Sequence, residues 1–156
     1  MITTDIDYPD YLPVPTKQGY SRKTVSPVER TQMRNGRARM RRTYSSVPAE
    51  YDVTWIFRSG AEAALFESFF KRQLKEGTEW FNCPMRTPLG TGMYVCRFMD
   101  IYEGPDMFGA CGWQVRAQLE MYERPLISEE YAQFPEYIIN ADILDVAANV
   151  HWPRKY

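Results

Sequence analysis

The sequence predicts an α+β protein that is mostly β, with one helix packed on a largely antiparallel sheet. Residues 50–58 and 113–124 alternate between apolar and polar side chains, as strands with one buried face do. Between them, Ser59 and Glu62 have the spacing of a capping box, which predicts a helix that continues to about Lys75. Two further strands are expected between this helix and the last strand, so a single helix is left to cover the sheet.

The predicted core consists of apolar side chains that share one face of these elements. Trp55 and Phe57 lie on the same face of the first strand, because alternate residues of a strand point the same way. Leu65, Phe66 and Phe69 recur at helical spacing. The complete predicted core is Trp55, Phe57, Leu65, Phe66, Phe69, Trp80, Phe81, Trp113 and Leu119.

Both ends of the chain are predicted to be extended arms. Four prolines within residues 1–30 fix φ and remove backbone donors, so regular structure is not expected there. The aromatic side chains of this segment indicate that it lies on a protein surface. The predicted organisation is an N-terminal arm with an arginine-rich segment over residues 1–43, a core over residues 44–124 with a helix at about 60–76, and an acidic, aromatic extension over residues 125–156.

The composition excludes several classes of protein. With 44% hydrophobic and 25% charged residues, the chain is neither disordered, collagen-like nor a coiled coil. Its apolar runs are far shorter than the ~20 residues that cross a bilayer, and no signal peptide is expected. Three cysteines without a CxxC pair predict reduced thiols in a protein that is made in a cytosol.

No residue pattern indicates catalysis, so we expect no enzyme. The single histidine, His151, stands near the end of the sequence, where nothing is expected to orient it as a base. The spacing of Cys83, Cys96 and Cys111 matches no zinc pattern, and no glycine-rich phosphate loop is present. The sequence therefore predicts no catalytic residue, no metal, no cofactor and no small-molecule substrate.

The charge is strongly uneven, although it sums to −1. Residues 17–42 carry nine basic side chains and one acidic one, whereas residues 99–145 carry ten acidic and two basic ones. Such a chain can bind a copy of itself head to tail, because the two charged segments attract each other.

The arginine run is the strongest functional candidate. Asn35-Gly36 predicts a turn, and Arg37, Arg39 and Arg41 then share one face of a strand. Arginine is enriched in protein interfaces and binds carboxylates bidentately, which favours a subunit contact. The alternative is a small nucleic-acid-binding module that uses the Arg34–Arg42 face with Tyr44 as a stacking platform, although the pI of about 5.9 argues against it. The predicted interface residues are Arg34, Arg37, Arg39, Arg41 and Arg42 with the arm aromatics Tyr8, Tyr11, Tyr20, Tyr131, Phe134, Tyr137 and Trp152.

The middle of the chain also resembles a known family. The alternating strand from Tyr51 to Phe57 is followed by Leu65-Phe66-Glu67-Ser68-Phe69, and then by Trp80-Phe81 and a proline. Two strands, Tyr94 to Met99 and Trp113 to Glu123, complete the pattern. In this order of features, residues 44–124 resemble the minor tail proteins of long-tailed phages, of the lambda minor tail protein M type. The Gly-Asp-Gly-Tyr turn that this family typically has early in the chain finds no good match here.

The resemblance implies a tail-tube-like antiparallel β-sandwich or partial barrel with one flanking helix. It also implies a non-enzymatic virion component, made in the bacterial cytoplasm, in the distal tail, a hub-proximal ring, a baseplate or a short-tail adaptor. Such subunits form rings with themselves and contact other tail proteins, while the genome passes through the channel without specific binding. The arms would then lie across neighbouring subunits.

Overall fold

Antiparallel strands make up most of the structure, a computed structural model that describes residues 3–34 and 36–141. The chain divides into two compact units, residues 1–124 and residues 125–156. The described strands are β1 (Ser21–Thr24), β2 (Val28–Gln32), β3 (Ala38–Arg42), β4 (Ala49–Phe57), β5 (Phe81–Thr87), β6 (Gly90–Phe98), β7 (Glu103–Phe108) and β8 (Gly112–Met121). The helices are α1 (Gly60–Ser68), which continues as a π-helical turn (Phe69–Gln73), and in the second unit α2 (Glu129–Ala132) and α3 (Pro135–Ile139). The predicted α+β, mostly β class is confirmed.

Strand β8 is the centre of the main sheet, whose order is β1-β4-β8-β6-β5. One edge of β8 pairs with β4 along its full length, from Phe57 opposite Trp113 to Ala49 opposite Met121. The other edge is shared, because β7 pairs with the beginning of β8 and β6 pairs with its end. Strands β2 and β3 pair with each other as a separate two-stranded sheet.

Alternate side chains of this sheet form the core. On β4, Trp55 and Phe57 are fully buried, and Phe66 of α1 packs on them with ring centroids 5.2 and 5.3 Å away. Phe81 of β5 and Leu119 of β8 are also fully buried. The single helix of the first unit therefore covers the apolar face of the sheet.

The start of α1 follows the predicted capping box. The Ser59 hydroxyl accepts a hydrogen bond from the Glu62 amide at 3.3 Å, and the Glu62 carboxylate accepts one from the Arg58 amide at 2.8 Å. The helix ends in the π-helical turn, which the Leu74 amide closes by donating to the Phe69 carbonyl at 3.2 Å. Gly77 then adopts a φ of 87°, and a Cβ there would lie only 3.0 Å from Phe70 and Phe98, so this position requires glycine.

The predicted place of Leu65 in the core is wrong, because its side chain is 41% exposed. Leu65 stands one residue before Phe66, which places it about 100° around the helix axis from the buried line. Phe70 takes the expected place, since the wide π-helical turn brings both Phe69 and Phe70 against the sheet. Trp80 and Trp113 were also expected in the core and are only half-buried.

The N-terminal arm is hydrogen-bonded to two strands of the main sheet, β5 and β4. Near its start, the Tyr8 amide donates to the Asn82 carbonyl on the free edge of β5 at 2.9 Å. Eight residues later, the Thr16 amide donates to the Thr54 carbonyl on the free edge of β4 at 2.8 Å. The arm then continues into β1, which pairs with β4. Residues 3–24 are thus part of the fold of their own unit.

Tyr8 was expected at a subunit interface, and this prediction is wrong. Its ring is 4% exposed and stacks on Trp55 with centroids 6.4 Å apart, while its hydroxyl donates to the Pro13 carbonyl at 2.8 Å. Burial raises the pKa of Tyr8 well above its ordinary value. The expectation that residues 1–30 hold no regular structure is also wrong, because β1 lies in the proline-free stretch between Pro15 and Pro27 and β2 begins directly after Pro27. The prolines do not prevent the side chains before them from packing inside either.

Candidate functional site

The candidate site is the arginine hairpin, defined as β2, β3 and the turn at residues 33–37 between them. The Met33 amide donates to the Arg37 carbonyl at 2.9 Å, and the Gly36 amide donates to the Met33 carbonyl at 3.1 Å. Gly36 has a φ of 78°, a left-handed conformation that glycine adopts more easily than other residues. The predicted turn therefore lies at the hairpin tip, although Asn35 itself falls outside the described residues.

The register of the hairpin places its arginines on both faces. Arg39 stands opposite Thr31 and Arg41 opposite Glu29, so Arg39 and Arg41 share one face as the sequence predicts. On the other face, Arg30 stands opposite Met40, and Arg42 stands opposite Val28. Arg37 immediately precedes β3, and Arg34 lies in the turn. The hairpin therefore presents positive charge in both directions.

Most of these charges are available to a partner. All residues of β3 are exposed, and Glu29 is the only acidic residue of the hairpin. The side chains of Arg39 and Arg41 form no ion pair within residues 3–34 and 36–141. Arg42 differs, because its guanidinium donates to the backbone carbonyls of Tyr44 and Ser45. Arg42 thus holds the base of the hairpin.

Hydrogen bonds at the base of the hairpin connect it to the rest of the unit. The Thr43 amide donates to the Pro27 carbonyl at 2.8 Å, and the Arg124 guanidinium donates to the Val25 carbonyl at 3.4 Å. In the described part of the chain, neither strand pairs with a third strand. An isolated two-stranded hairpin is marginally stable in water. A partner that covers these strands would therefore stabilise them.

The aromatic residues predicted at the interface have different environments. Tyr20 is half-buried against Tyr51, with centroids 5.7 Å apart, and its hydroxyl donates to the Arg86 carbonyl at 2.6 Å. Tyr11 is 89% exposed. In the second unit the side chains of Tyr131, Phe134 and Tyr137 are all exposed. Trp152 and His151 lie outside the described residues.

A polar cleft of about 480 Å³ lies on the outer face of β4 and β8, and it was not predicted from the sequence. Its wall includes Asp52, whose carboxylate accepts hydrogen bonds from Ser21 at 2.7 Å and Gln118 at 2.9 Å and pairs with Lys23 at 3.1 Å. The Ser21 hydroxyl contributes most to holding the pKa of Asp52 below its ordinary value. The alternation of polar residues on β4 and β8 was the only sequence signal of this surface.

The thiols and the acidic residues offer little chemistry. Cys83 and Cys96 are fully buried, and burial raises the pKa of Cys96 to about 12 and that of Cys83 well above its ordinary value. Cys111 is exposed. Across the residues that the structure describes, no group of three or more His, Cys, Asp or Glu side chains could hold a metal ion.

Comparison with known proteins found no protein family, no curated protein and no solved structure that matches this chain. Within residues 3–34 and 36–141, no helix is both long enough and apolar enough to cross a bilayer.

Proposed function

We propose that this chain is a non-enzymatic structural subunit of a bacteriophage tail, which assembles with copies of itself and with other tail proteins. The observation that carries the proposal is the arginine hairpin, an exposed and strongly basic element whose strands pair only with each other among the described residues. Its side chains contribute little to the fold of their own unit. A binding surface for a neighbouring subunit accounts for both their exposure and their charge.

The tail assignment rests on the resemblance of residues 44–124 to the minor tail proteins of long-tailed phages. The features that carry the resemblance occur in the fold as a strand, β4, followed by one helix, α1, and then by antiparallel strands that include β6 and β8. A mostly antiparallel sheet with one flanking helix is also what that family implies. These agreements support the proposal.

The position in the tail is the finer part of this proposal. We assign the chain to a ring of the distal tail or of the hub-proximal region, in the virion. Its sheets would join those of neighbouring copies around the channel for the genome, which would pass without specific contacts. A strand edge with unpaired backbone groups can pair with a strand of a neighbouring copy.

Mass spectrometry of purified phage particles from the source tests the proposal. We expect this chain in the particles at a fixed count of a few to a dozen copies, as a ring requires. Absence of the chain from intact particles would overturn the proposal.

A second experiment asks whether the arginine hairpin carries the assembly. The double variant Arg39→Ala/Arg41→Ala should be lost from particles, while its free energy of unfolding stays within about 0.5 kcal/mol of the wild type. Lys71→Ala/Arg72→Ala is the matched control, because it removes two exposed positive charges from the π-helical turn and should be incorporated normally. Normal incorporation of the hairpin variant would count against the assigned role of the hairpin.

One observation favours the alternative of a nucleic-acid-binding module. Tyr44 is 60% exposed and follows the exposed arginine strand β3 by two residues, so a base could stack on it while Arg39 and Arg41 bind phosphates. Titration of DNA or RNA binding against salt decides this alternative. A steep loss of affinity with salt, reduced in the Arg39→Ala/Arg41→Ala variant, would support it, and no binding at low salt would remove it.

A further inference from the structure

The floor of the polar cleft is formed by two buried side chains whose hydrogen-bonding groups lack protein partners. Thr54 on β4 is 4% exposed and Gln114 on β8 is 9% exposed, and both line the cleft. Neither side chain forms a hydrogen bond with another described residue. Although both residues are buried, their polar atoms reach solvent through the cleft. The Gln114 amide and the Thr54 hydroxyl are therefore available to a polar group that enters from outside.

The wall of the cleft is predominantly acidic. Asp100 and Glu103 form no ion pair within the described ranges, whereas Asp52 pairs with Lys23. Arg116 is the only basic residue in the wall. A neighbouring hollow of about 540 Å³ shares Asp100 with the cleft, and its wall adds Glu76 and the Arg97–Glu120 ion pair. The group that fits this surface is a cation with several hydrogen-bond donors.

We propose that this cleft receives arginine side chains from the hairpin of a second copy of the chain. The inference rests on the proposed function, since it names the acceptor of the subunit contact. A guanidinium presents five donors in a planar fork, which can bind a carboxylate bidentately and still donate to an amide or hydroxyl oxygen. The volume of the cleft lies within the range of about 300–1,000 Å³ that is common for ligand sites.

None of the described hairpin residues lines the cleft of its own chain, and all residues of β3 are exposed. Hairpin and cleft are different surfaces of one unit, so a contact between copies is head to tail, and repetition of that contact gives a ring or a filament. The charge complementarity is direct, since the hairpin has one acidic residue and the wall of the cleft has one basic residue.

The cleft is also a better acceptor than the acidic C-terminal extension. Glu129, Glu130 and Glu136 are exposed on α2 and α3, helices of four and five residues. Ion pairs between exposed side chains contribute about 0–1 kcal/mol and are screened by salt. Asp100 and Glu103 are exposed as well. A guanidinium that pairs with them can, however, also donate to the Gln114 amide oxygen and the Thr54 hydroxyl in the floor of the cleft, whereas α2 and α3 have no buried residue.

Charge reversal on each side of the contact tests the inference. The hairpin variant is Arg39→Glu/Arg41→Glu, and the cleft variant is Asp100→Lys/Glu103→Lys; both replace exposed side chains. Sedimentation velocity of the wild type at low salt should show oligomers. Each variant alone should self-associate at least about tenfold more weakly, while circular dichroism shows the same fold. The control Glu129→Lys/Glu130→Lys should assemble like the wild type.

An equimolar mixture of the two variants gives the sharpest readout. Each variant reverses the charge on one side of the contact, so both contacts between unlike variants are complementary. The unchanged hairpin of one variant meets the unchanged acidic cleft of the other, and the glutamates of the reversed hairpin meet the lysines of the reversed cleft. The mixture should therefore recover the oligomers that each variant alone has lost, which a contact through other surfaces would not produce. A mixture that stays monomeric would overturn the inference.

Failure of this inference is distinguishable from failure of the proposed function. Wild-type protein that remains monomeric at every concentration and salt would overturn the contact between copies, while detection in phage particles would still support a tail role. Oligomers that survive both charge reversals would likewise overturn the role of the cleft. If the monomer binds DNA through Arg39 and Arg41 instead, the partner of the hairpin is nucleic acid and not the cleft of a second copy.

Discussion

Asp52 joins three strands through one carboxylate. It lies on β4 and accepts hydrogen bonds from Ser21 on β1 and Gln118 on β8, and it pairs with Lys23 on β1. These contacts, that of Ser21 first, hold the pKa of Asp52 below its ordinary value of 3.8. A group with a depressed pKa in the folded state stabilises the fold above its unfolded pKa, and this contribution is lost as the pH falls through the folded value.

Asp52→Asn should therefore destabilise the protein in a pH-dependent way. We expect its free energy of unfolding to be about 1 kcal/mol lower than that of the wild type at pH 7. The difference should narrow at pH 3 and below, because the wild-type carboxyl then becomes protonated too. Urea unfolding at the two pH values measures this, with the exposed Asp106→Asn as control. An equal difference at both pH values would show that the charge of Asp52 plays no part.

The cysteines should separate by reactivity. Cys83 and Cys96 are buried within β5 and β6, and burial raises the pKa of both thiols, so neither the access nor the thiolate that an aromatic disulfide reagent requires is present. Cys111 is exposed in the turn between β7 and β8. The native protein should release about one equivalent of reporter thiolate at pH 8, and the urea-unfolded protein about three. Rapid reaction of all three thiols in the native protein would contradict the buried β5–β6 pair.

At the scale of elements, the helices and strands that could be predicted were those with a local sequence signal. The alternation on β4 and the Ser59–Glu62 pair depend on residues a few positions apart, and both elements form as expected. The burial of Phe70 in place of Leu65 could not be predicted, because it depends on a π-helical turn that no local residue pattern announces. The burial of Tyr8 could not be predicted either, since it depends on Trp55, which is distant in sequence.

The same distinction holds for the candidate site. The turn and β3 of the arginine hairpin could be predicted from a local turn signal and an alternating strand, whereas its first strand, β2, was not predicted. The polar cleft could not, because it combines residues of β4 and β8 with Asp100 and Glu103, and only the sheet register brings these segments together.

The N-terminal arm should behave as part of the fold, which a pair of neighbouring tyrosines can test. Tyr8→Ala should lower the free energy of unfolding by about 3 kcal/mol, because it removes a buried ring that contacts Trp55 and Phe69. Tyr11→Ala, at a side chain that is 89% exposed, should change it by less than about 0.5 kcal/mol. Urea unfolding followed by tryptophan fluorescence measures both. Equal effects would show that the arm is not docked as described.

At the scale of the whole molecule, the acidic side chains of residues 99–145 are divided between the two units. Asp100, Glu103 and Asp106 belong to the first unit, which also holds the arginine hairpin. Glu129, Glu130 and the aromatic residues of α2 and α3 belong to the second. The sequence predicts attraction between the basic and acidic segments but does not say which unit supplies the carboxylates.

A chain that ends at Arg124 separates these two sources of negative charge. All buried hydrophobic side chains among the described residues lie between Tyr8 and Met121, so the shortened chain keeps a complete core and should fold alone. Its free energy of unfolding should stay within about 1 kcal/mol of the full chain. It should also form oligomers of the same order at low salt, because hairpin and cleft are both retained. Urea unfolding and sedimentation velocity give the two readouts. A shortened chain that folds normally but stays monomeric would place the acceptor of the arginine hairpin in residues 125–156 and not in the cleft.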